Sequence, residues 1–306
     1  MKNIFIYCFY ILLFTACKNN IENKPEITNF DISPNGDFIV YSYINSNNIS
    51  NLYMAKIDGS DINLLVSKNN YSFFCPKITK DGKTIFFIGS DERNMESSIW
   101  KFNVSKTSFK KILTEKGFIS EITLSKFHNN ILYIKADYYK SYSPIAGKRK
   151  HDFDIYSMNI DTIQPKKISA LNAYTLSNLI ELDENKIIIG QRGSDTENGI
   201  FFFNKKFIKE LKKIETINDT LSHSSGYSNP VAIDSTTLIC ASYFKLVKIN
   251  LDTKLEKRIL PSNGYHFRQI NYNKKLKRIF YIKRDDSNKI YSININGKDY
   301  KEVILK

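Results

Sequence analysis

Short apolar runs separated by polar turns recur along this chain from about residue 30 to its C-terminus. The first clear copy has a Ser-Pro-Asn-Gly turn at 33–36, an apolar run from Phe38 to Tyr43, and a second run from Leu52 to Ile57 that closes at an Asp-Gly pair. A fourth short run, Asn63 to Val66, completes it. Turn residues between runs of this length indicate β-strands, and their recurrence indicates repeated four-stranded units.

The third strand of each unit is the clearest marker of the repeat. Its central residue recurs six times, at intervals of 44 to 56 residues, as Tyr53, Trp100, Tyr156, Phe201, Val247 and Tyr291. Units of this length match the blades of a β-propeller, each with four strands. The spacing therefore predicts an all-β protein, a six-bladed β-propeller with four antiparallel strands per blade.

The second strands are continuous apolar runs without clean alternation, as in Ile85 to Ile88, Ile187 to Ile189 and Ile279 to Ile282. A strand covered on both faces has this composition, whereas a two-sheet sandwich would expose one face and alternate. The last predicted strand is Val303 to Leu305. No strand is left over at either end, so we expect the ring to close by packing between the first and last blades.

The turns carry a family resemblance. The Ser-Pro-Asn-Gly turn at 33–36 and the Thr-Lys-Asp-Gly turn at 79–82, each followed by an apolar strand, resemble the repeat of TolB-like, WD40-like (PD40) propellers. The resemblance covers about residues 27–306 and is degenerate after the second unit. It implies the six-bladed fold more safely than any activity, because such repeats serve many functions.

The first residues resemble a bacterial lipoprotein signal. Lys2 precedes an apolar segment, Ile4 to Phe14, that is too short to span a bilayer stably, and Thr15-Ala16-Cys17 follows. The resemblance implies a leader at 1–16, a lipidated polar tether at 17–26 and the propeller at 27–306. An ordinary secretory peptide or anchor helix with a chance cysteine is the alternative.

The expected cellular location follows from the same resemblance. Lys18 follows the cysteine, at the position where an Asp would resemble an inner-membrane retention signal. The expected location is therefore the bacterial cell envelope, at the outer membrane, in either leaflet. Of the 4 cysteines, Cys8 leaves with the leader and Cys17 carries lipid. Cys75 and Cys240 fall in the second and fifth units, so we expect buried small hydrophobic residues and no disulfide.

The chain is basic, with 45 Lys and Arg against 31 Asp and Glu and a formal charge of +14. These residues are spread along the chain, and Lys, Asn and Ile are used heavily throughout, which indicates compositional bias. We expect no nucleic-acid partner. A basic module for anionic polysaccharide or nucleic acid stays as an alternative, and it requires the positive charge to lie on one face.

Strand order sorts the loops onto two faces. The turns between first and second strands, at 33–36 and 79–82, lie on what we call the turn face. The loops between second and third strands and the linkers between blades lie on the opposite, loop-rich face, where aromatic and titratable residues are more frequent. The longest such loop, 137–154, is either a recognition loop or a tolerated insertion. Candidate ligand-binding residues on this face come from four units: Tyr142, His151, Arg192, Tyr227, His266 and Arg268.

Signals of catalysis are weak. The 4 histidines have no metal-binding spacing, and neither a nucleophile elbow nor a phosphate-binding loop is present. We therefore predict no catalytic residue, metal or cofactor, and a non-enzymatic module that binds or scaffolds a protein, peptide or glycan and contacts the membrane through its lipid anchor. The alternative is a lyase or hydrolase acting on an envelope or extracellular polymer, which requires His151, His223 and His266 to converge near a carboxylate.

Overall fold

A computed structural model describes residues 25–91, 96–140, 149–191, 198–217, 226–242, 244–260 and 266–305, with only the backbone described for 138–140 and 149. The predicted leader, Cys17 and nearly all of the predicted tether lie outside this part of the chain. None of the described residues forms a helix long and apolar enough to cross a membrane.

The described residues form six four-stranded antiparallel sheets, each built from four consecutive strands. Blades one to three contain β1 (Glu26–Ile32), β2 (Phe38–Ile44), β3 (Ser50–Lys56), β4 (Asn63–Val66); β5 (Ser72–Ile78), β6 (Thr84–Asp91), β7 (Glu96–Asn103), β8 (Ser108–Lys116); β9 (Phe118–Leu124), β10 (Asn130–Lys140), β11 (Arg149–Asn159) and β12 (Pro165–Lys167). Blades four to six contain β13 (Leu176–Glu181), β14 (Lys186–Gln191), β15 (Gly199–Asn204), β16 (Leu211–Lys213); β17 (Tyr227–Ala232), β18 (Thr237–Ser242), β19 (Lys245–Asn250), β20 (Glu256–Leu260); β21 (Phe267–Asn273), β22 (Arg278–Lys283), β23 (Asp286–Asn294) and β24 (Lys301–Ile304).

The sheets form a closed ring in chain order. The first strand of each blade contacts the first strand of the next, and β21 returns to β1. The six predicted third-strand markers all lie in the third strands, from Tyr53 in β3 to Tyr291 in β23. The predicted six-bladed β-propeller is therefore confirmed.

Burial of the second strands on both faces explains their continuous apolar runs. In β14 the side chains of Ile187, Ile188 and Ile189 are all 0% exposed. Ile187 and Ile189 belong to the apolar core shared with blade three, whereas Ile188 belongs to the core shared with blade five. Because successive side chains point to opposite faces, both faces of one strand are covered by neighbouring blades.

The first strand of every blade is irregular. Its pairing with the second strand shifts register once, between residues 27 and 29, 74 and 77, 119 and 121, 177 and 180, 228 and 231, and 267 and 269. Three of these bulges contain a residue with positive φ: Cys75 at 54°, Asn178 at 59° and Asn229 at 49°. A bulge leaves backbone groups without a partner in their own sheet, so a neighbouring element can bond them.

Hydrogen bonds between these inner strands join the last blade to the first. The Gln269 side chain accepts from the N–H of Phe30 at 3.0 Å and donates to its carbonyl at 2.9 Å. Asn273 donates to the Ser33 carbonyl at 2.9 Å. Gly36 has φ +71, and a side chain there would lie 2.6 Å from Cγ of Leu276 in blade six. No described strand is exchanged between the first and last blades, so the ring closes by these contacts and by apolar packing, as predicted.

The cysteines agree with the sequence prediction. Cys75 and Cys240 are both free and buried. Burial raises the pKa of the Cys75 thiol to about 11, and burial likewise raises the pKa of Cys240. Both thiols are therefore protonated and unreactive at neutral pH.

Replacing Gln269 tests closure of the ring. Gln269→Ala leaves the N–H and carbonyl of fully buried Phe30 without their partner, so we expect a loss of about 3 kcal/mol in the free energy of unfolding. Gln164→Ala, at an exposed glutamine, is the matched control. Denaturant titration measures both. If both variants lost the same negligible free energy of unfolding, these hydrogen bonds would not support closure of the ring.

Candidate functional site

A large cavity lies on the propeller axis. It has a volume of ≈ 880 Å³, is lined by the first strands of all six blades and opens among the turns of the turn face. Residues of two predicted turns, Pro34 and 79–81, form part of its rim. Cavities of this size in rigid scaffolds are the usual places for ligands.

Among the charged residues that line this cavity, three lie on the consecutive inner strands of blades one to three. Asp31, on β1, accepts from the Ile78 N–H at 2.8 Å and from the Asn271 amide at 2.7 Å. Glu121, on β9, accepts from the N–H groups of two residues in the blade-four bulge, Asn178 at 2.6 Å and Leu179 at 2.9 Å. The side-chain ammonium of Lys77, on β5, has no hydrogen bond or ion pair with any described residue, whereas its backbone pairs with Phe86 of β6. Both carboxylates are thus held by the protein, whereas the ammonium can donate to a ligand.

Electrostatics keep this ammonium charged. Burial works against the charge of Lys77, but the Cys75 sulfur, where it is ionised, and the carboxylates of Asp31 and Glu121 outweigh burial and raise the pKa of Lys77. Burial also raises the pKa of Glu121, despite Lys77 and the two backbone N–H donors. The cavity therefore contains a lysine cation beside two carboxyl groups of fixed geometry.

A third acidic residue, Glu181, lies at the mouth of the axial cavity and is buried. Glu181, whose side chain is 1% exposed, pairs with Lys205 at 2.7 Å. It also accepts from the Ser125 hydroxyl at 2.7 Å and the Lys126 N–H at 2.9 Å, both in the blade-three turn. Burial opposes its charge, but Lys205 and the other donors lower the pKa of Glu181 overall. This carboxylate holds the turn of one blade against the next.

The loop-rich face carries a smaller cleft of ≈ 200 Å³ between blades four and five. Two of the predicted ligand-binding residues, Tyr227 and His266, line it. The Tyr227 hydroxyl is bonded to Glu256 and, at 2.9 Å, to Thr216, so it points into the blade-four to blade-five contact. The His266 ring packs against Phe244 with centroids 4.4 Å apart.

The other predicted binding residues lie elsewhere. His151 is bonded to Asp152, and its ring meets that of Tyr174 with centroids 6.3 Å apart. Arg268 forms an ion pair with Glu26 at 2.5 Å. Tyr142 and Arg192 lie outside the described residues. The structure thus brings Tyr227 and His266 together at one cleft, and ligand binding by these six residues stays a prediction.

The charged residues of the axial cavity were missed by sequence reasoning, although a signal for them exists. Asp31 and Lys77 each lie two residues before the turn that ends an inner strand, and Thr123 and Asn271 hold the equivalent position in blades three and six. Polar residues recurring at one position of an otherwise apolar strand indicate a solvated axis. The polar residue at this position differs from blade to blade, and the repeats are degenerate, so the pattern is weak in the sequence.

No group of three or more His, Cys, Asp or Glu side chains in the described part of the chain could hold a metal ion. His151 lies in blade three and His266 precedes the first strand of blade six, three blades away around a six-blade ring. His223 lies outside the described residues.

Comparison with known proteins identifies the fold. No family model and no curated protein matches the chain. TolB from Acinetobacter baumannii is similar in structure, with a TM-score of 0.67 and 14% identity over 89% of this chain and 64% of that chain. An oligogalacturonate lyase in complex with manganese has a TM-score of 0.61 and 10% identity, covering 89% and 75%. The β-propeller domain of the Trilobed protease from Pyrococcus furiosus, whose topology is described as open velcro, has a TM-score of 0.56 and 14% identity, covering 91% and 97%.

These likenesses show the propeller fold and nothing finer. The chain spans less than two thirds of the TolB chain, and identities this low do not carry over activity or ligand. The resemblance in the turns and the similarity in structure agree on the same architecture.

The Glu181 carboxylate makes the contact between blades three and four dependent on pH. Because its folded-state pKa lies below the ordinary value of 4.5, its stabilisation is present above pH 4.5 and is lost as pH falls through the folded value. We expect Glu181→Gln to cost about 3 kcal/mol at pH 7 and less in acid, measured by thermal unfolding. Glu184→Gln, at an exposed residue of the adjacent turn, is the control. If Glu181→Gln lost the same stability at pH 7 and in acid, the result would contradict this role of the carboxylate.

Proposed function

We propose that this chain is an envelope-anchored lipoprotein whose propeller is a non-enzymatic module that binds or scaffolds a protein, peptide or glycan. The observation that carries the proposal is the axial cavity of ≈ 880 Å³, in whose wall the Lys77 ammonium has no partner among the described residues. All six blades contribute to this cavity, so the whole ring positions it.

The cavity supports binding because its polar groups are already oriented. Asp31 and Glu121 are each held by two hydrogen bonds from neighbouring blades, so little ordering is required when a ligand enters. Lys77 has donors to offer, and a charge-assisted hydrogen bond from such a group is among the stronger ones. The turn face is therefore the first binding surface we propose.

The loop-rich face is the second binding surface that we propose. Tyr142, His151, Arg192, Tyr227, His266 and Arg268 remain proposed contacts there. The cleft that contains Tyr227 and His266 supports this surface, but Arg268 is already paired with Glu26. The larger volume and uncommitted cation of the axial cavity favour the turn face over it.

The location of the basic residues favours this proposal over an anionic-polymer module. Four outer strands each carry two adjacent, mostly exposed basic residues: Lys110 and Lys111, Lys166 and Lys167, Lys212 and Lys213, and Lys257 and Arg258. They are distributed around the rim of blades two to five, where lysines on open strand edges discourage pairing with other sheets. A charge spread around the rim does not form one binding face.

A lyase or hydrolase acting on an envelope or extracellular polymer is the second candidate. Its support is the fold shared with the lyase described above. It requires His151, His223 and His266 to meet near a carboxylate, and the separation of His151 and His266 by three blades favours binding over catalysis.

The anchor is the first test. We expect Cys17→Ser to leave the protein without lipid and to move it from the membrane to the soluble fraction, since acyl chains supply the attachment. Cys8→Ser, within the proposed leader, is the matched control and should remain at the membrane. Fractionation with immunoblotting measures both, and unchanged membrane retention of Cys17→Ser would contradict the lipoprotein proposal.

The binding surface is the second test. A photo-crosslinking residue at Lys274, on the cavity rim, should capture an envelope component in cells that produce the full-length protein. Adding Lys77→Met should reduce that capture about tenfold or more, as expected for the loss of one charge-assisted hydrogen bond. The melting temperature should fall only slightly, because the Lys77 ammonium donates no hydrogen bond within the described structure and its attraction to Asp31 and Glu121 is partly offset by its burial.

Lys83→Met is the matched control. It removes an exposed lysine beside the same turn but outside the cavity, and it should leave capture unchanged. Full capture by Lys77→Met, together with loss of capture in a His151→Ala, His266→Ala double variant, would place the binding surface on the loop-rich face.

A further inference from the structure

The chain enters the propeller on the loop-rich face, beside the axis. β1 begins at Glu26 and runs towards the turn at 33–36, so its first residue lies at the opposite face from that turn. Glu26 is bonded to Arg268 at 2.5 Å and accepts from the Ser287 hydroxyl at 3.1 Å, both in blade six. Ile27 follows with 1% exposure. The entry point is therefore held to the rigid ring.

The tether proposed above is short. Eight peptide units join Cys17 to Pro25. A chain extends by at most about 3.6 Å per residue, so these units span at most about 29 Å whatever their conformation.

A tether of this length cannot reach the turn face around the outside. From β1 the route crosses three interstrand spacings to β4, about 14 Å, and then descends a seven-residue strand, about 23 Å. The sum is about 37 Å before any side chain is passed. The axial route would need the chain to reverse at Pro25 and pass the side chains of Asp31, Lys77 and Glu121, and it would leave only about 6 Å to reach a bilayer.

We infer that the loop-rich face lies against the membrane and that the axial cavity opens away from it. This inference rests on the proposed lipid anchor at Cys17. It also narrows the partner class: the component bound at the turn face approaches from the aqueous side and is not a lipid headgroup of the anchoring bilayer.

The test uses the mature full-length chain coupled through Cys17 to a maleimide lipid in phosphatidylcholine vesicles. Cys75 and Cys240 are buried and do not compete. A fluorophore is attached through an azide-bearing residue at one of two exposed asparagines of blade one: Asn35 on the turn face, or Asn69 in the linker on the loop-rich face. Lipids with a headgroup nitroxide quench whichever site faces the bilayer.

We expect several-fold stronger quenching at Asn69 than at Asn35. Inserting thirty flexible residues between Cys17 and Pro25 should remove the difference, because the domain can then turn over. Equal quenching at the two sites with the native tether, or stronger quenching at Asn35, would overturn the inferred orientation.

This outcome is separable from failure of the anchor. Chemical coupling supplies the lipid, so vesicle quenching reports orientation alone, whereas fractionation of Cys17→Ser reports whether cells use that cysteine. If quenching is as expected but Cys17→Ser stays at the membrane in cells, Cys17 is not the anchor. The inferred orientation would then be overturned for the protein in cells, because it rests on that anchor. Equal quenching with a released Cys17→Ser would overturn the orientation and leave the anchor intact.

Discussion

No blade of this propeller can cover its own sheet, and the rest of the structure depends on that constraint. The second strands are apolar on both faces, as Ile187 and Ile188 show, and each face packs on a different neighbour. A sheet of this composition would expose a large apolar surface if it stood alone. The stable arrangement is a ring in which every blade is covered on both sides, so the first and last blades must meet although one ends the chain and the other begins it.

Polar contacts near the axis position the blades that this packing brings together. A bulge in each first strand frees backbone groups, and side chains of neighbouring blades bond several of them, as Glu121 does with Asn178 and Leu179. Gln269 makes the equivalent contact where the ring closes on Phe30. Most axial carboxylates and amides make these contacts, whereas the Lys77 ammonium bonds to none of the residues that the structure describes and can still donate. The same interactions that assemble the ring thus also define the cavity.

The two faces of the ring differ for a reason of chain geometry. The turns between first and second strands are short and surround an open cavity, whereas the longer loops and the entry of the chain lie on the opposite face. The proposed binding surface and the proposed tether therefore lie at opposite ends of the first strands. If the proposed anchor holds, one face is directed towards the attachment and the other is left to the proposed partner.

The sequence by itself determined the fold, because the fold follows from local patterns. Turn residues, apolar runs and a repeat of about one blade length predicted six blades, their strands and the buried cysteines Cys75 and Cys240. It did not determine the candidate site. Whether Arg268 is free or paired, and whether Lys77 is committed, depends on contacts between blades, some joining residues 239 positions apart. A polar residue in a strand looks alike in sequence whether it faces solvent, a neighbouring bulge or the axis, so only the closed ring decided which side chains remain available.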